Sequence, residues 1–289
     1  MNLDFTEITL DRQADYQARL QATPQVSSDY SFVNLWAWAE EYGLSWAWDG
    51  ALVWIRQKKP TLAYWAPVGP WSTIDWRRMM PGLQGLSFIR LPESLSLLMA
   101  HAHPSARIRT TRDHWDYLYA VEELVALAGN RFHAKLNLLH QFKKSYLWQY
   151  QPLDEGLIEM VLAMQGQWCA WRNCEDSADL AAEDRVIAKV LKSFAHFPAL
   201  LGGTLLVDSQ VVAFTVAEPL PTDTLVIHFE KGMGSYKGVY QAMNQQFLAT
   251  QTGFTLVNRE QDLGNEGLRK AKLSYNPVAF LKKYELLWP

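Results

Sequence analysis

The chain has 289 residues, 49% of them hydrophobic and 13% aromatic, so it can bury a large core. Its formal net charge of −3 gives it no overall attraction to a polyanion, and such a length favours two domains over one.

The cysteine spacing and the lengths of the apolar segments indicate the cellular location of the protein. Cys169 and Cys174 match neither a CxxC motif nor a zinc-binding set, so we predict reduced thiols, no structural disulfide and no metal site. The first residues lack the charged-then-apolar pattern of a signal peptide. No stretch approaches the roughly 18 apolar residues of a membrane span. We therefore expect a cytoplasmic protein without an integral membrane segment.

The first half of the chain alternates helical and strand patterns. Ser27 to Asp29 is a capping cluster for a helix from Tyr30 to Tyr42, and Asp49-Gly50 predicts a hairpin. Further strands and helices follow, up to a short strand at 117–119. The tryptophans between Trp36 and Trp76 are predicted to pack in the core. This order indicates a mixed α/β unit.

The second half has a different order of elements. Residues 126–150 carry the pattern of a connecting helix, and two helices over 153–195 precede a hairpin. An apolar strand from Thr224 to Phe229 is followed by a glycine-rich turn, a helix, a strand, a second helix and a last strand. The predicted domains are therefore 1–125 and 151–289, both α/β.

The turn after the apolar strand is a candidate phosphate site. A glycine-rich turn at the start of a helix leaves backbone N–H groups unpaired, and the helix dipole adds positive charge there. The predicted donor-binding residues are Lys231, Gly232, Gly234, Ser235, Tyr236 and Gly238.

Carboxylates follow two successive strands of this half. Glu230 ends the strand before the turn, and it is our first choice for a general base that deprotonates an acceptor. The alternative is a structural carboxylate or a salt bridge to Lys231. Asp262 and Glu260 follow the next strand as further catalytic candidates. Asp262 could bind an acceptor ammonium, or it could only cap the helix that follows.

A second set of polar residues is predicted to bind the acceptor or a phosphate. For Arg269 and Lys272 an exposed helix face is the commoner explanation, and for His228 a hydrogen-bonded core position is the commoner one. The candidates are Arg259, His228, Asn258, Arg269, Lys272 and Tyr275.

The order of elements in the second half resembles the GNAT acyltransferase fold. In that fold the glycine turn holds the donor's pyrophosphate, and the resemblance implies acyl-coenzyme A as donor. The turn from Lys231 to Gly238 is similar to that loop but differs from it in spacing. Motifs of hydrolases, zinc enzymes and nucleotide-triphosphate-binding proteins are absent from the sequence.

Longer motifs resemble the uncharacterised bacterial proteins grouped with the C-terminal domain of phosphatidylglycerol lysyltransferases. The motifs are SDYSFVNLWAW, GNRFHAKLNLLHQF, HFEKGMGSYKGVYQAMNQQF and NREQDLGNEGLRKAKLSYNP. The resemblance implies an α/β (α+β) chain of two GNAT-like domains in tandem, as in the related Fem peptidyltransferases, which use aminoacyl-tRNA. Each domain would be a mixed, mostly antiparallel twisted sheet flanked by helices. Leu136 stands where the family's basic run has an arginine, which implies a weaker contact to an anion.

These observations predict a function. The chain would move an acyl or aminoacyl group from a phosphate-bearing donor, an aminoacyl-tRNA or an acyl-coenzyme A, to an amine or hydroxyl. The acceptor would be a small molecule or a peptide, and tRNA would be the macromolecular partner. No cofactor beyond the co-substrate follows from the sequence. The alternative is a non-catalytic GNAT-like module that binds a ligand or a partner.

Overall fold

The structure is a computed structural model that describes residues 3–287. The chain divides into two compact units that are not consecutive in sequence. Unit 1 comprises the residues up to Tyr117, Gln261–Arg269 and the residues from Phe280 onward. Unit 2 comprises Leu118–Glu260 and Lys270–Ala279.

The helices and strands alternate along the chain. The helices are α1 (Gln13–Gln21), α2 (Phe32–Tyr42), α3 (Trp76–Met79), α4 (Glu93–Ala102), α5 (Val121–Ala126), α6 (His133–Ser145), α7 (Ile158–Arg172), α8 (Ala178–Lys192), α9 (Val239–Ala249) and α10 (Glu266–Leu273). The strands are β1 (Ser45–Asp49), β2 (Leu52–Gln57), β3 (Ala63–Trp65), β4 (Ser87–Pro92), β5 (Arg107–Thr110), β6 (Asp116–Ala120), β7 (Trp148–Pro152), β8 (Leu201–Val207), β9 (Gln210–Pro219), β10 (Thr224–Gly232), β11 (Leu256–Asn258), β12 (Ala279–Leu281) and β13 (Lys283–Leu287).

The sheet of unit 1 has the order β1-β2-β3-β4-β13-β5. β3 and β4 run parallel, and the other neighbours are antiparallel. The predicted hairpin is confirmed, since Asp49 pairs with Leu52 across it. Most tryptophans of this half are buried as predicted, whereas Trp36, Trp38 and Trp48 are half-buried. The buried ones are Trp46, Trp54, Trp65, Trp71 and Trp76.

The first predicted helix cap is wrong by a few residues. α2 begins at Phe32, and its N-cap is Ser31, whose hydroxyl accepts from the Asn34 backbone N–H at 3.1 Å. Ser28 and Asp29 lie in a short 3₁₀ turn before the helix and are buried. Their side chains bond to other buried polar groups, and that demand outweighs the capping preference.

Four of these buried residues, Asp29, Asp116, Arg90 and Lys283, form what we call the unit 1 charge network. The Lys283 ammonium contacts Asp29 and lies 2.6 Å from Asp116 Oδ1, while Arg90 contacts Asp29. The side chains of Asp29, Asp116 and Lys283 have no exposed surface. Ser28 adds donors to Asp116 from its backbone N–H at 2.9 Å and its hydroxyl at 3.0 Å. Two positive and two negative groups therefore balance each other.

The sheet of unit 2 has the order β12-β6-β11-β10-β9-β8-β7. β10 and β11 are parallel and α9 connects them, whereas β7 to β10 pair antiparallel in succession. This is the strand, helix and strand order that the GNAT resemblance implies. Two mixed, mostly antiparallel sheets flanked by helices confirm the predicted fold class.

Several strands are absent from the sequence-based prediction. β5 lies within 105–113, where no strand was expected, and β13 completes the sheet of unit 1 from the other end of the chain. The helix expected within 126–150 runs from His133 to Ser145, and β7 begins at Trp148. Trp148 pairs with Val207, about sixty residues later in the chain, and such a partner cannot be read from local periodicity.

The prediction that no disulfide forms is wrong, because Cys169 and Cys174 are bonded to each other. α7 ends at Arg172, and Asn173 follows in the left-handed conformation at φ 51°. This residue turns the chain back, so the two Cα atoms come within 5.0 Å, which is a normal disulfide separation.

Among residues 3–287, none of the helices combines the length and the apolar character that crossing a bilayer requires.

Candidate functional site

The candidate site lies in unit 2, where β10 and β11 stop pairing. Their parallel register covers Thr224 to Val226 on β10 and Leu256 to Asn258 on β11. β10 continues to Gly232 along β9, with a register shift between Ile227 and Phe229. A bulge of this kind bends a strand and redirects its side chains. The polar residues predicted as site residues therefore follow the point where the strands separate.

Glu230 and Arg259 form an ion pair at this point. Arg259 Nη2 lies 2.8 Å from Glu230 Oε1, and Asn244 Nδ2 on α9 donates to Glu230 Oε2 at 3.1 Å. The Glu230 side chain is 8% exposed and that of Arg259 14%. The other guanidinium nitrogen, Arg259 Nη1, is buried without a hydrogen-bond partner among the described residues. Such an orphaned donor costs free energy unless a ligand or a water molecule accepts from it.

Lys135 of α6 adds a second cation to the pair. Its ammonium lies 4.2 Å from the centre of the Tyr275 ring, and the Arg259 guanidinium lies 4.8 Å from the same centre. Burial and the like charge of Arg259 lower the pKa of Lys135. No carboxylate among the described residues pairs with Lys135. We call Lys135, Arg259 and Tyr275 the cation–tyrosine cluster, and its positive charge suits an anionic group.

Hydrogen bonds from neighbouring residues hold the members of this cluster in position. Lys272 Nζ donates to the Arg259 carbonyl at 2.6 Å, and the Lys272 carbonyl accepts from Tyr119 at 2.8 Å. Tyr275 Oη accepts from Gln241 at 3.0 Å, and burial raises the pKa of Tyr275. Lys272, predicted as a phosphate ligand, thus holds the backbone that positions Arg259.

His228 is held between two carboxylates. Its Nε2 lies 2.9 Å from Glu218 Oε1 and its Nδ1 lies 2.8 Å from Glu260 Oε1. Burial by itself would lower the pKa of His228, but the hydrogen bonds to Glu218 and Glu260 outweigh it and raise the pKa to about 9. The ring is therefore a cation at neutral pH. Asn258, another predicted residue, accepts from the Glu260 backbone N–H at 2.8 Å and shapes that turn.

The glycine-rich turn packs closely on its surroundings. Gly238 has φ +85°, and a Cβ atom there would lie 2.1 Å from the Leu138 carbonyl oxygen of α6. A Cβ atom at Gly234 would lie 2.6 Å from the Trp171 ring. Glycine is therefore required for conformation at Gly238 and for close approach at both positions. Gly234 and Ser235 are exposed, Tyr236 is half-buried, and Gly232 is buried next to Val239.

Lys231, predicted to bind the donor, has partners within unit 2. Its ammonium lies 2.7 Å from Glu183 Oε2 on α8 and 4.2 Å from the centre of the Trp168 ring on α7. It is paired with Glu183 rather than with Glu230. A donor phosphate would compete with Glu183 for this lysine.

Asp262 and Arg269 belong to unit 1 and bind each other there. The Asp262 carboxylate, fully buried, accepts from Arg269 at 2.6 and 2.9 Å, from Tyr117 at 2.5 Å and from the Gly264 backbone at 2.9 Å. Burial would raise the pKa of Asp262, but the bonds from Arg269 and Tyr117 outweigh it and lower the pKa to about 2. The helix that follows is capped by Asn265, which accepts from Leu268 N–H at 2.9 Å.

Sequence reasoning missed some members of the site. Asn244 is 1% exposed on the packed face of α9, and a buried amide on an apolar helix face was a usable signal. Lys135 lies in the motif GNRFHAKLNLLHQF, and its local sequence does not mark it as a member of the site. Glu183 and Trp171 come from distant segments, and no local pattern connects them to the turn. Among the described residues, no group of His, Cys, Asp and Glu is arranged to hold a metal ion.

The model of one protein family, phosphatidylglycerol lysyltransferase, C-terminal, matches residues 21–286. The chain belongs to this family. The match includes Glu230, Arg259 and Lys135, so the candidate site lies inside the lysyltransferase C-terminal region. An uncharacterised protein of Mycoplasmoides gallisepticum is 24% identical over 171 residues, which are 58% of this chain. The match covers 54% of that relative, so the chain spans about half of its length.

Solved structures agree with the lysyltransferase family. A conserved protein of unknown function from Bacteroides thetaiotaomicron has a TM-score of 0.91 and 29% identity, with 100% of both chains covered. The C-terminal domain of a putative lysylphosphatidylglycerol synthetase from Agrobacterium fabrum has a TM-score of 0.66 and 11% identity, covering 97% of this chain and 92% of that one. FemX has a TM-score of 0.52 and 10% identity, covering 98% and 97%. The last two similarities concern the fold alone, and the predicted family resemblance is confirmed.

Proposed function

We propose that the chain is an acyltransferase that moves an acyl or aminoacyl group from a phosphate-bearing donor to an amine or hydroxyl. The donor is an aminoacyl-tRNA or an acyl-coenzyme A, and the acceptor is a small molecule or a peptide. The observation that carries the proposal is the Glu230–Arg259 pair at the point where β10 and β11 separate, beside Lys135, which has no carboxylate partner among the described residues. Membership of the lysyltransferase family supports the same class of reaction.

The charges of the cluster fit a donor that carries phosphate. Lys135 has no carboxylate partner among the described residues, and the orphaned Arg259 Nη1 can donate to a ligand oxygen. An anion beside them would relieve the repulsion that lowers the pKa of Lys135. The exposed backbone of Gly234 and Ser235, before the N-terminus of α9, gives a second place for phosphate oxygens.

The proposed chemistry uses Glu230 as the proton acceptor. The acceptor amine or hydroxyl attacks the donor carbonyl, the new bond to carbon forms, and its proton passes to Glu230. The bond from carbon to the donor's ribose oxygen or thiol sulfur then breaks, and that leaving group takes the proton. Arg259, held by Glu230 at 2.8 Å, stabilises the negative charge that develops on the carbonyl oxygen.

Glu260 and Asp262 have other tasks in this proposal. Glu260 fixes the charged His228 ring, and Asp262 is fully engaged by Arg269 and Tyr117 within unit 1. The acid–base step therefore rests on Glu230 alone. His228, Asn258 and Lys272 position the segment that carries Arg259.

Titration of the purified protein with acetyl-coenzyme A and with charged tRNA tests the donor. Glu230→Gln should lower turnover roughly 100- to 10,000-fold, because a general base of this kind contributes that much. Arg259 loses its carboxylate partner in this variant, so the unfolding temperature should fall as well, and turnover is compared at a temperature where both proteins are folded. Glu159→Gln, at an exposed position on α7, is the matched control and should keep full turnover. Full turnover in Glu230→Gln, or a wild-type protein that binds neither donor, would refute the proposal.

The internal pairing of several predicted residues favours a second candidate function. Lys231, His228 and Asp262 are all engaged in ion pairs within their own units. A non-catalytic module that binds a donor-like ligand would show the same arrangement. Binding of a donor by the wild-type protein without turnover would support the module over the enzyme.

We propose a cytoplasmic location, because both candidate donors are made and used there. The Cys169–Cys174 disulfide points the other way, since such bonds are rare in reducing compartments.

A further inference from the structure

Trp171 has an exposure that sets it apart from the other aromatic residues. It is 57% exposed, and no other Phe, Tyr or Trp side chain among residues 3–287 is as exposed. Trp168, one helical turn earlier on α7, is 6% exposed. An exposed indole offers an apolar face on which a flat ring can stack.

The Trp171 ring lies on the glycine-rich turn. The ring is so close to Gly234 that a Cβ atom there would come within 2.6 Å of Cη2 and 2.9 Å of Cζ2. Trp171 is also inside the loop that the Cys169–Cys174 disulfide closes, in the last turn of α7. The indole is therefore held in place beside the turn, with its remaining surface open.

One cation lies near this open aromatic surface. The Arg172 guanidinium lies 5.7 Å from the centre of the Trp171 ring. Beyond Gly234, α9 begins at Val239, and its Gly238 N-cap contributes no side-chain hydrogen bond. An aromatic platform beside a cation and a helix N-terminus matches a flat base linked to a phosphate.

We propose that Trp171 is the stacking residue for the adenine of the donor. This inference rests on the proposed function, because its ligand is the phosphorylated adenosine that coenzyme A and the 3′ end of tRNA share. The adenine lies on the open part of the Trp171 ring, and its phosphate reaches the turn at Gly234 and Ser235. Base stacking is sequence-tolerant by itself, so Trp171 contributes affinity for either donor.

The experiment measures dissociation constants by calorimetry for two pairs of probes. One pair is coenzyme A and 4′-phosphopantetheine, which lacks the 3′-phospho-AMP part of coenzyme A. The other is a tRNA acceptor-stem hairpin with and without its 3′-terminal adenosine. The proteins are wild type, Trp171→Ala, Trp171→Phe and the control Met160→Ala, which truncates another exposed apolar residue of α7.

For the pair that wild type binds, Trp171→Ala should weaken the adenosine-bearing probe roughly 10- to 100-fold. Trp171→Phe should weaken it less, and Met160→Ala should leave it unchanged. Removal of the adenosine-bearing part should weaken wild-type binding by a larger factor than Trp171→Ala binding, and the ratio of the two factors should be roughly the 10- to 100-fold that the substitution costs. Two results would overturn the inference and leave the proposed function standing. One is an equal affinity of wild type and Trp171→Ala for the adenosine-bearing probe. The other is a truncation of the probe that weakens binding by the same factor in both proteins. A wild-type protein that binds none of the four probes would overturn both.

Discussion

The unit 1 charge network and the cation–tyrosine cluster of unit 2 are both built from partly or fully buried charges, but they differ in completeness. In the network, two carboxylates and two cations balance, and the side chains of Asp29, Asp116 and Lys283 have no exposed surface. In the cluster, Lys135 has no carboxylate partner among the described residues, and Arg259 Nη1 lacks an acceptor. A network in which every charge has a partner serves the fold, whereas a cluster with unpaired donors can still bind a ligand.

The difference separates two kinds of conspicuous charged residue. Asp29 lies in a motif that resembles the family, yet its partners Lys283 and Arg90 leave it nothing to offer a substrate. Glu230 lies in another such motif, and it holds an arginine that can still donate to a ligand. Motif membership alone therefore does not distinguish a structural charge from a functional one.

The largest expected effect comes from opening the complete network. Lys283→Met leaves Asp29 and Asp116 buried with one cation fewer, and it should lower the free energy of unfolding by roughly 3–5 kcal/mol. Lys282→Met is the control, because Lys282 pairs with Glu93 at the surface and should cost less than about 1 kcal/mol. Urea denaturation measures both. A loss for Lys283→Met as small as that of the control would show that the network is not structural.

The next effect concerns the dependence of stability on pH. The pKa of His228 is raised to about 9 from 6.5, so its contribution is fully present below about pH 6.5 and is lost as the pH rises through 9. The loss should amount to about 3 kcal/mol, from 1.4 kcal/mol for each pH unit. Denaturation at pH 6, 7.5 and 9.5 should show it, and His228→Gln should remove most of the slope. An unchanged slope in the variant would assign the pH dependence to other groups.

The smallest expected effect on stability comes from the incomplete cluster. Lys135→Gln removes a cation whose pKa is already lowered by burial and by Arg259, so the free energy of unfolding should change by less than about 0.5 kcal/mol. Binding of acetyl-coenzyme A or charged tRNA, whichever the wild type binds, should weaken roughly 10-fold with the loss of a charged donor. If Lys135→Gln instead loses as much stability as Lys283→Met, the contrast between the two regions fails.

Parts of the fold follow from local sequence. The hairpin at Asp49-Gly50, the glycine turn before α9 and the alternation of elements depend on turn chemistry and periodicity over a few residues. The resemblance of the long motifs gave the family and the fold class, and both are confirmed. The start of α2 and the disulfide were predicted wrongly, because a buried network and a left-handed Asn173 took precedence over local preference.

The candidate site can be predicted only in part from the local sequence. Glu230, Arg259 and their neighbours stand out as polar residues after apolar strands, and their roles in binding and catalysis stay predictions. Their partners do not stand out, since Lys135, Asn244 and Glu183 come from three helices elsewhere in the chain. The sequence likewise gave no sign that Lys231 pairs with Glu183.

By itself, then, the amino-acid sequence determined much of the alternation of helices and strands, which turn needs glycine and which family the chain resembles. Tertiary structure alone decided which charges are balanced, that β13 completes the sheet of unit 1, and that Trp171 lies against Gly234. The physical reason is distance along the chain. Backbone conformation responds to neighbours within a few residues, whereas the pairing of charges, strands and rings joins segments separated by tens to hundreds of residues.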